Sequence, residues 1–183
     1  MKRSAAWCLA AAFVLGMTLG VSGKSDEKDM DIEKDIVRLL VKSGAVSYAQ
    51  KKPYGAGIVS MTIGYDEDSK PVIAVAVRET KTYKRAMVIV AVTRDKDGYK
   101  ITAAEIPDVG TFHGKSQSLA RDALKDITGK VFKNKKEALG LADAVTGATK
   151  YYRAIYVSYA LMASRAIEEM SASPDWPRRP MQP

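Results

Sequence analysis

The sequence predicts an α+β fold, an antiparallel sheet packed by helices in a single domain. Three observations carry this. The middle of the chain holds four runs rich in Val, Ile and Thr, at 58–65, 72–80, 87–94 and 99–106, with apolar and small residues alternating. The runs are joined by hairpin signals, so neighbouring strands run antiparallel. Apolar residues before and after this block recur at three- and four-residue spacing, the period of a helix with one buried face.

The elements follow in order. Lys2 and Arg3 precede an apolar stretch from about 5 to 21, and Val21, Ser22 and Gly23 supply small residues behind it. This is the pattern of a secretory signal peptide over 1–23. A retained membrane anchor is the alternative, since the run is near the lower limit of about 17–25 residues for a spanning helix. Export places the protein in the periplasm or another extracytoplasmic space, tethered to the membrane if the segment stays. Cys8 is the single cysteine and leaves with the segment, so the mature chain has no disulfide, thiolate metal site or iron–sulfur ligand.

The mature domain spans 24–170, long enough to bury a real core. Removal of Lys2 and Arg3 lowers the formal charge from +8 to about +6. That surplus suits an acidic partner or an anionic surface, and export argues against nucleic acid. Residues 24–31 are highly charged and read as a flexible lead-in. Ile32, Ile36, Leu39 and Leu40 then fall on one helical face within 32–48, and Ser43-Gly44 can end or bend that helix. The segment 66–71 suits a hairpin loop. Asp97-Gly98 suits a tighter one, because Gly supplies positive φ. Pro107 to Gly114 is a loop, 116–127 a second helix, and 138–142 leads into a third that runs over 150–170. Its buried face carries Tyr152, Ile155, Tyr156, Tyr159, Ala163, Ala166, Ile167 and Met170. The tail, 171–183, carries Pro174, Pro177, Pro180 and Pro183 and reads as disordered.

The most informative segment is Asp143-Ala144-Val145-Thr146-Gly147-Ala148-Thr149, directly before the last helix. Taken by themselves, its residues combine hydroxyls with a tight backbone approach, room beside them, and positive potential. Gly147 permits the approach, Ala148 leaves room, and a helix N-terminus offers free N–H groups and a favourable dipole. Lys150 and Arg153 add cations within a turn. Asp143 has the chemistry to brace the turn entering the helix. The competing reading is plain capping by Thr146 or Thr149.

The Asp-x-x-Thr-Gly-Ala-Thr pattern resembles the flavinylation motif of the FMN-binding domain family. That family includes the covalent-FMN subunits of Rnf-type and sodium-pumping NADH:quinone oxidoreductases. The hairpin over 87–106 also resembles the family's own, and the likeness covers about half of the mature chain. The resemblance implies FMN on Thr149 through a phosphodiester, with Asp143, Thr146, Gly147, Ala148 and Lys150 around it. It implies a flavin transferase for maturation, and redox donor and acceptor proteins, with a membrane complex as one setting for them. The chain would then be an electron carrier or redox subunit rather than a stand-alone enzyme.

Two features depart from the family. Its Thr-Pro-Gly-Leu-Gly-like loop, which helps hold the flavin ring, is replaced by 107–114. Lys150-Tyr151-Tyr152 also follow the motif where Thr or Ser is usual. Gly110, Thr111, Phe112 and His113 are the candidates for the ring in the altered loop. His113, the single histidine, is either a ring or proton-relay residue or a solvent-exposed loop residue. With one His and no mature Cys, neither a metal site nor a nucleophilic triad is indicated. The basic run 133–136 reads as a solvated loop, with docking of an acidic redox partner as the sharper alternative. Two other functions stay open: a cofactor-free extracytoplasmic binding module on the same fold, and noncovalent FMN binding.

Overall fold

The computed structural model describes residues 23–80, 86–107, 109, 112, 114–143 and 150–181, with side chains from 31 in the first helix and from 153 in the last. Among these residues, helix α1 (Gly23–Lys42) is followed by strands β1 (Ser47–Lys51), β2 (Ile58–Tyr65), β3 (Pro71–Glu79), β4 (Met87–Asp95) and β5 (Gly98–Glu105). Helix α2 (Lys115–Ile127), strand β6 (Val131–Phe132), helices α3 (Lys135–Gly140) and α4 (Lys150–Ala172), and strand β7 (Arg178–Pro180) complete the fold. The strands form one seven-stranded sheet in the order β6-β5-β4-β3-β2-β1-β7, and every pairing is antiparallel. The α+β class expected from the sequence is the class observed.

Both faces of the sheet are covered, and the strand alternation divides the side chains between them. Ile73, Val75, Val77, Ile89 and Ala91 pack with Ile32, Ile36, Leu39 and Leu40 of α1. Ala74, Ala76, Val88, Val90 and Val92 belong to the larger core, with Tyr156, Tyr159, Ala163, Ile167 and Met170 of α4. Burial on both faces is why β3 and β4 read as nearly continuous apolar runs. Gly64 lets α1 come down on β2. A Cβ there would lie 2.7 Å from Ile73 Cγ2 and 2.8 Å from Leu40 Cδ2.

Four expectations need correction. The charged segment 24–31 is the first half of α1 rather than a flexible lead-in. The helix expected within 32–48 ends at Lys42, at the Ser43-Gly44 stop the sequence offers, where Ser43 N–H bonds back to Leu39 and Leu40 and Gly44 takes φ 76°; the part beyond it, read without a strand, holds β1. Tyr48 lies off the helical face set by Ile32, Ile36, Leu39 and Leu40, and β2 offers Ser47–Lys51 a backbone ladder. The tail, expected to be disordered, returns along β1. Arg178–Pro180 pairs with Ala49, Tyr48 and Ser47, and Met181 N–H bonds to Val46 O at 2.9 Å. Prolines are tolerated there because β7 is an edge strand. Finally, the basic run 133–136 is not all loop. Asn134 caps α3 by accepting from Lys136 N and Glu137 N, so Lys135 and Lys136 begin a helix.

Gly98 also acts differently from the simple turn expectation. Its φ is 144°, and a Cβ there would fall 2.3 Å from Phe132 O. The position needs Gly for the close approach of β6 as much as for the turn.

Candidate functional site at the N-terminal end of α4

Helix α4 lies along β3 and β4, and its direction fixes which groups gather at each end. Arg94 Nη2 donates to Met170 O at 3.2 Å, so the C-terminal end of α4 lies over the end of β4. Val88 is six residues back along β4, about 20 Å at 3.4 Å per residue. About 13 helical residues cover that length, so α4 runs back toward the Val88 end of β4. Tyr159 agrees with this placement, since its hydroxyl donates to Glu105 O at 2.8 Å and Glu105 pairs with Ile89. The N-terminus of α4, at Lys150, therefore lies at the sheet end where β3 and β5 finish and β2 and β4 begin.

The sequence candidates divide into three groups. Residues 144–149, including Thr146, Gly147, Ala148 and Thr149, lie outside the described residues, as do Gly110, Thr111 and His113. Lys150 is the first residue of α4, and its side chain is also outside them. Asp143 is exposed, and its backbone N–H closes the turn after α3 by bonding to Gly140 O at 3.0 Å. Arg153 is exposed on the first turn of α4. Phe112 is 2 % exposed and sits within the larger core, so its ring packs the interior. The expectation that the motif feeds a long helix holds at the described boundary, since α4 begins at Lys150 and runs for 23 residues.

Sequence reasoning placed Tyr156 and Tyr159 on the buried face of α4, as observed, but missed the hydrogen bonds of both, and it missed a third residue at this end altogether. Tyr156, expected only as a core aromatic, donates its hydroxyl to Asp126 of α2 at 2.5 Å. That hydrogen bond, more than nearby Lys130, holds the Asp126 carboxyl below its ordinary range despite some burial. The pair fastens α2 to the first half of α4. Tyr159 is fully buried, and burial pushes its phenol well above the ordinary value, so it stays protonated and donates to Glu105.

The third residue is Arg78, near the end of β3. It pairs in register with Ile58 and with Val88, both members of the core on the α4 side, so Arg78 shares that face. Its Nε and Nη1 atoms are buried and have no hydrogen-bond partner among the described residues. The signal was present in the sequence: a charge at an inward position of an otherwise apolar strand.

Among the described residues, no group of three or more His, Cys, Asp or Glu is placed to hold a metal ion, and no helix is long and apolar enough to cross a membrane. Compared with protein-family models, curated proteins and solved structures, the chain gives no match.

Proposed function

We propose that this chain is an extracytoplasmic electron-transfer flavoprotein that carries FMN through a phosphodiester to Thr149. The observation that carries the reading is the position of the motif. Asp143 to Thr149 ends immediately before Lys150, the first residue of a 23-residue helix. The first four N–H groups of such a helix have no intrahelical partner, and its dipole favours an anion at that end. The antiparallel sheet beneath supplies a rigid support. An orphaned guanidinium on the same sheet face, at the same end, is consistent with an anionic group.

When bound, the flavin supplies one- and two-electron chemistry; the protein's share is attachment, orientation and electrostatic tuning. Lys150 and Arg153 add positive potential at the attachment end. Maturation requires a flavin transferase, and turnover requires donor and acceptor proteins. The apolar N-terminal stretch directs export, and it tethers the domain if it is retained.

A cofactor-free binding module is the second reading. One observation favours it: Phe112 of the altered loop is packed into the core rather than offered to a ring. Flavin fluorescence on a denaturing gel separates the two. Full-length protein exported from cells with an active transferase should give a fluorescent band, and Thr149→Ala should be dark. A dark wild-type band beside a labelled control protein rejects the covalent reading. Flavin that leaves on unfolding would instead mark noncovalent binding.

A further inference from the structure

We propose that Arg78 is an anion-binding residue whose ligand is a phosphate group; in the flavin reading, on which this assignment of the ligand rests, it is the FMN phosphate. A guanidinium does not escape burial by losing its proton, because it remains charged at every accessible pH. Arg78 is half-buried, but a charged group whose buried N–H donors lack partners loses their hydration without recompense, and native structures rarely leave such donors so. Yet Arg78 Nε and Nη1 are buried without a partner among the described residues.

The surroundings keep the guanidinium available. Residues 55–58 form a tight turn, with Gly55 and Ile58 exchanging both backbone hydrogen bonds and Ala56 and Gly57 at φ 53° and 76°. Both central residues are left-handed, as a type I′ turn requires. A Cβ at Gly57 would stand 3.5 Å from Arg78 Nη2. The turn thus presents backbone, with no side chain at Gly57, beside the guanidinium. Glu79 is the next residue, but strand alternation sends it to the opposite face, where it is exposed. Arg78 itself lies on the sheet face that α4 covers. A planar fork of donors suits phosphoryl oxygens, which accept several charge-assisted hydrogen bonds at once.

The test uses the full chain made without a flavin transferase, titrated with inorganic phosphate against chloride at matched ionic strength. Phosphate should raise the thermal midpoint of the wild type beyond chloride. Arg78→Gln should bind phosphate about tenfold more weakly or worse, the loss expected for hydrogen bonds to a charged group. Arg78→Met removes the unpaired charge at similar length and should raise the phosphate-free midpoint. A purely structural arginine would lower it.

The inference is overturned if the wild type shows no phosphate-specific shift, if Arg78→Gln keeps it, or if Arg78→Met lowers the phosphate-free midpoint. Should Arg78→Gln fail to fold, Arg78→Lys decides: it keeps the charge without the fork, and wild-type phosphate affinity in it also overturns the inference. Gel fluorescence of transferase-treated wild type is read separately. A dark band with Arg78-dependent phosphate binding rejects the flavin and keeps the anion site. A fluorescent band with Arg78-independent binding rejects only the anion site.

Discussion

The two ends of α4 are built differently. At the C-terminal end the polar groups are tied down. Arg94 bonds Met170 O, and the Tyr99 and Ser171 hydroxyls meet at 2.8 Å. Tyr54 donates to Glu169 at 2.6 Å, and Lys135 and Arg165 both reach Glu168 at 2.6 Å. Behind them the returning tail sets Trp176 against the Tyr54 ring and Arg178 over the Tyr65 ring. At the N-terminal end, Arg78 keeps two buried nitrogens without partners among the described residues. A satisfied network fixes position, whereas an orphaned charge lowers stability unless a ligand completes it. The contrast assigns stability to one end and binding to the other.

The sharpest way to break this comparison is to damage the tied end. Gly98→Val should lower stability by roughly 3 kcal/mol or more, because its Cβ meets backbone at Phe132 and its φ is wrong for a branched residue. Met170→Ala, at a fully buried site, should cost about 3 kcal/mol. Urea unfolding followed by circular dichroism measures both. If the folded fraction of either variant still accepts flavin at Thr149, stability and attachment are separable. If mild destabilisation abolishes labelling, the division between the ends fails.

A smaller effect comes from Tyr54→Phe, which should cost about 1 kcal/mol by removing the donor to Glu169. The same variant tests alkaline stability. Burial first, then the Glu169 carboxylate, raises the Tyr54 phenol above its ordinary value of 10.0, and burial does the same for Tyr65. A raised folded-state value means that the stabilisation is complete below pH 10 and is lost as pH rises beyond it. Alkaline unfolding, followed by tyrosinate absorbance, should thus begin above about pH 10 in the wild type and depend less steeply on pH in Tyr54→Phe.

The smallest effect lies at the same end. Hydrogen bonds from Lys135 and Arg165 lower the Glu168 carboxyl below its ordinary value of 4.5. A lowered folded-state value contributes stability above pH 4.5 that is lost as pH falls through the folded value. All three side chains are partly exposed, so solvent screening keeps Glu168→Gln to a few tenths of a kcal/mol at pH 7. The difference between wild type and variant should shrink further at pH 3. A difference that grows on acidification would contradict this sign.

Much of the fold was legible because it rests on local pattern. Ile58–Tyr65 was bounded correctly, and the expected ranges for β3, β4, β5 and α2 differ from those observed by no more than one residue at each end. Alternation in strands and three-to-four spacing in helices record which side chains are buried, and burial is what holds those elements. The errors fell where spacing is ambiguous. Tyr48 adds nothing to the helical face of 32–40, and only pairing with β2 makes Ser47–Lys51 a strand. The prolines of the tail exclude helix but not an edge strand, and only the open flank of β1 gives β7 a partner.

The candidate site divides along the same line. The sequence by itself determined the chemistry available at 143–149 and the helix that must follow, because turn residues, capping and amphipathic period act over a few positions. Tertiary structure alone decided what surrounds that helix start. Register across three strands puts Arg78 on the α4 face, and helix packing brings Asp126 to Tyr156. Those residues are far apart in the chain, and no local preference relates them. Their meeting depends on the closure of the whole sheet and on the direction in which α4 crosses it.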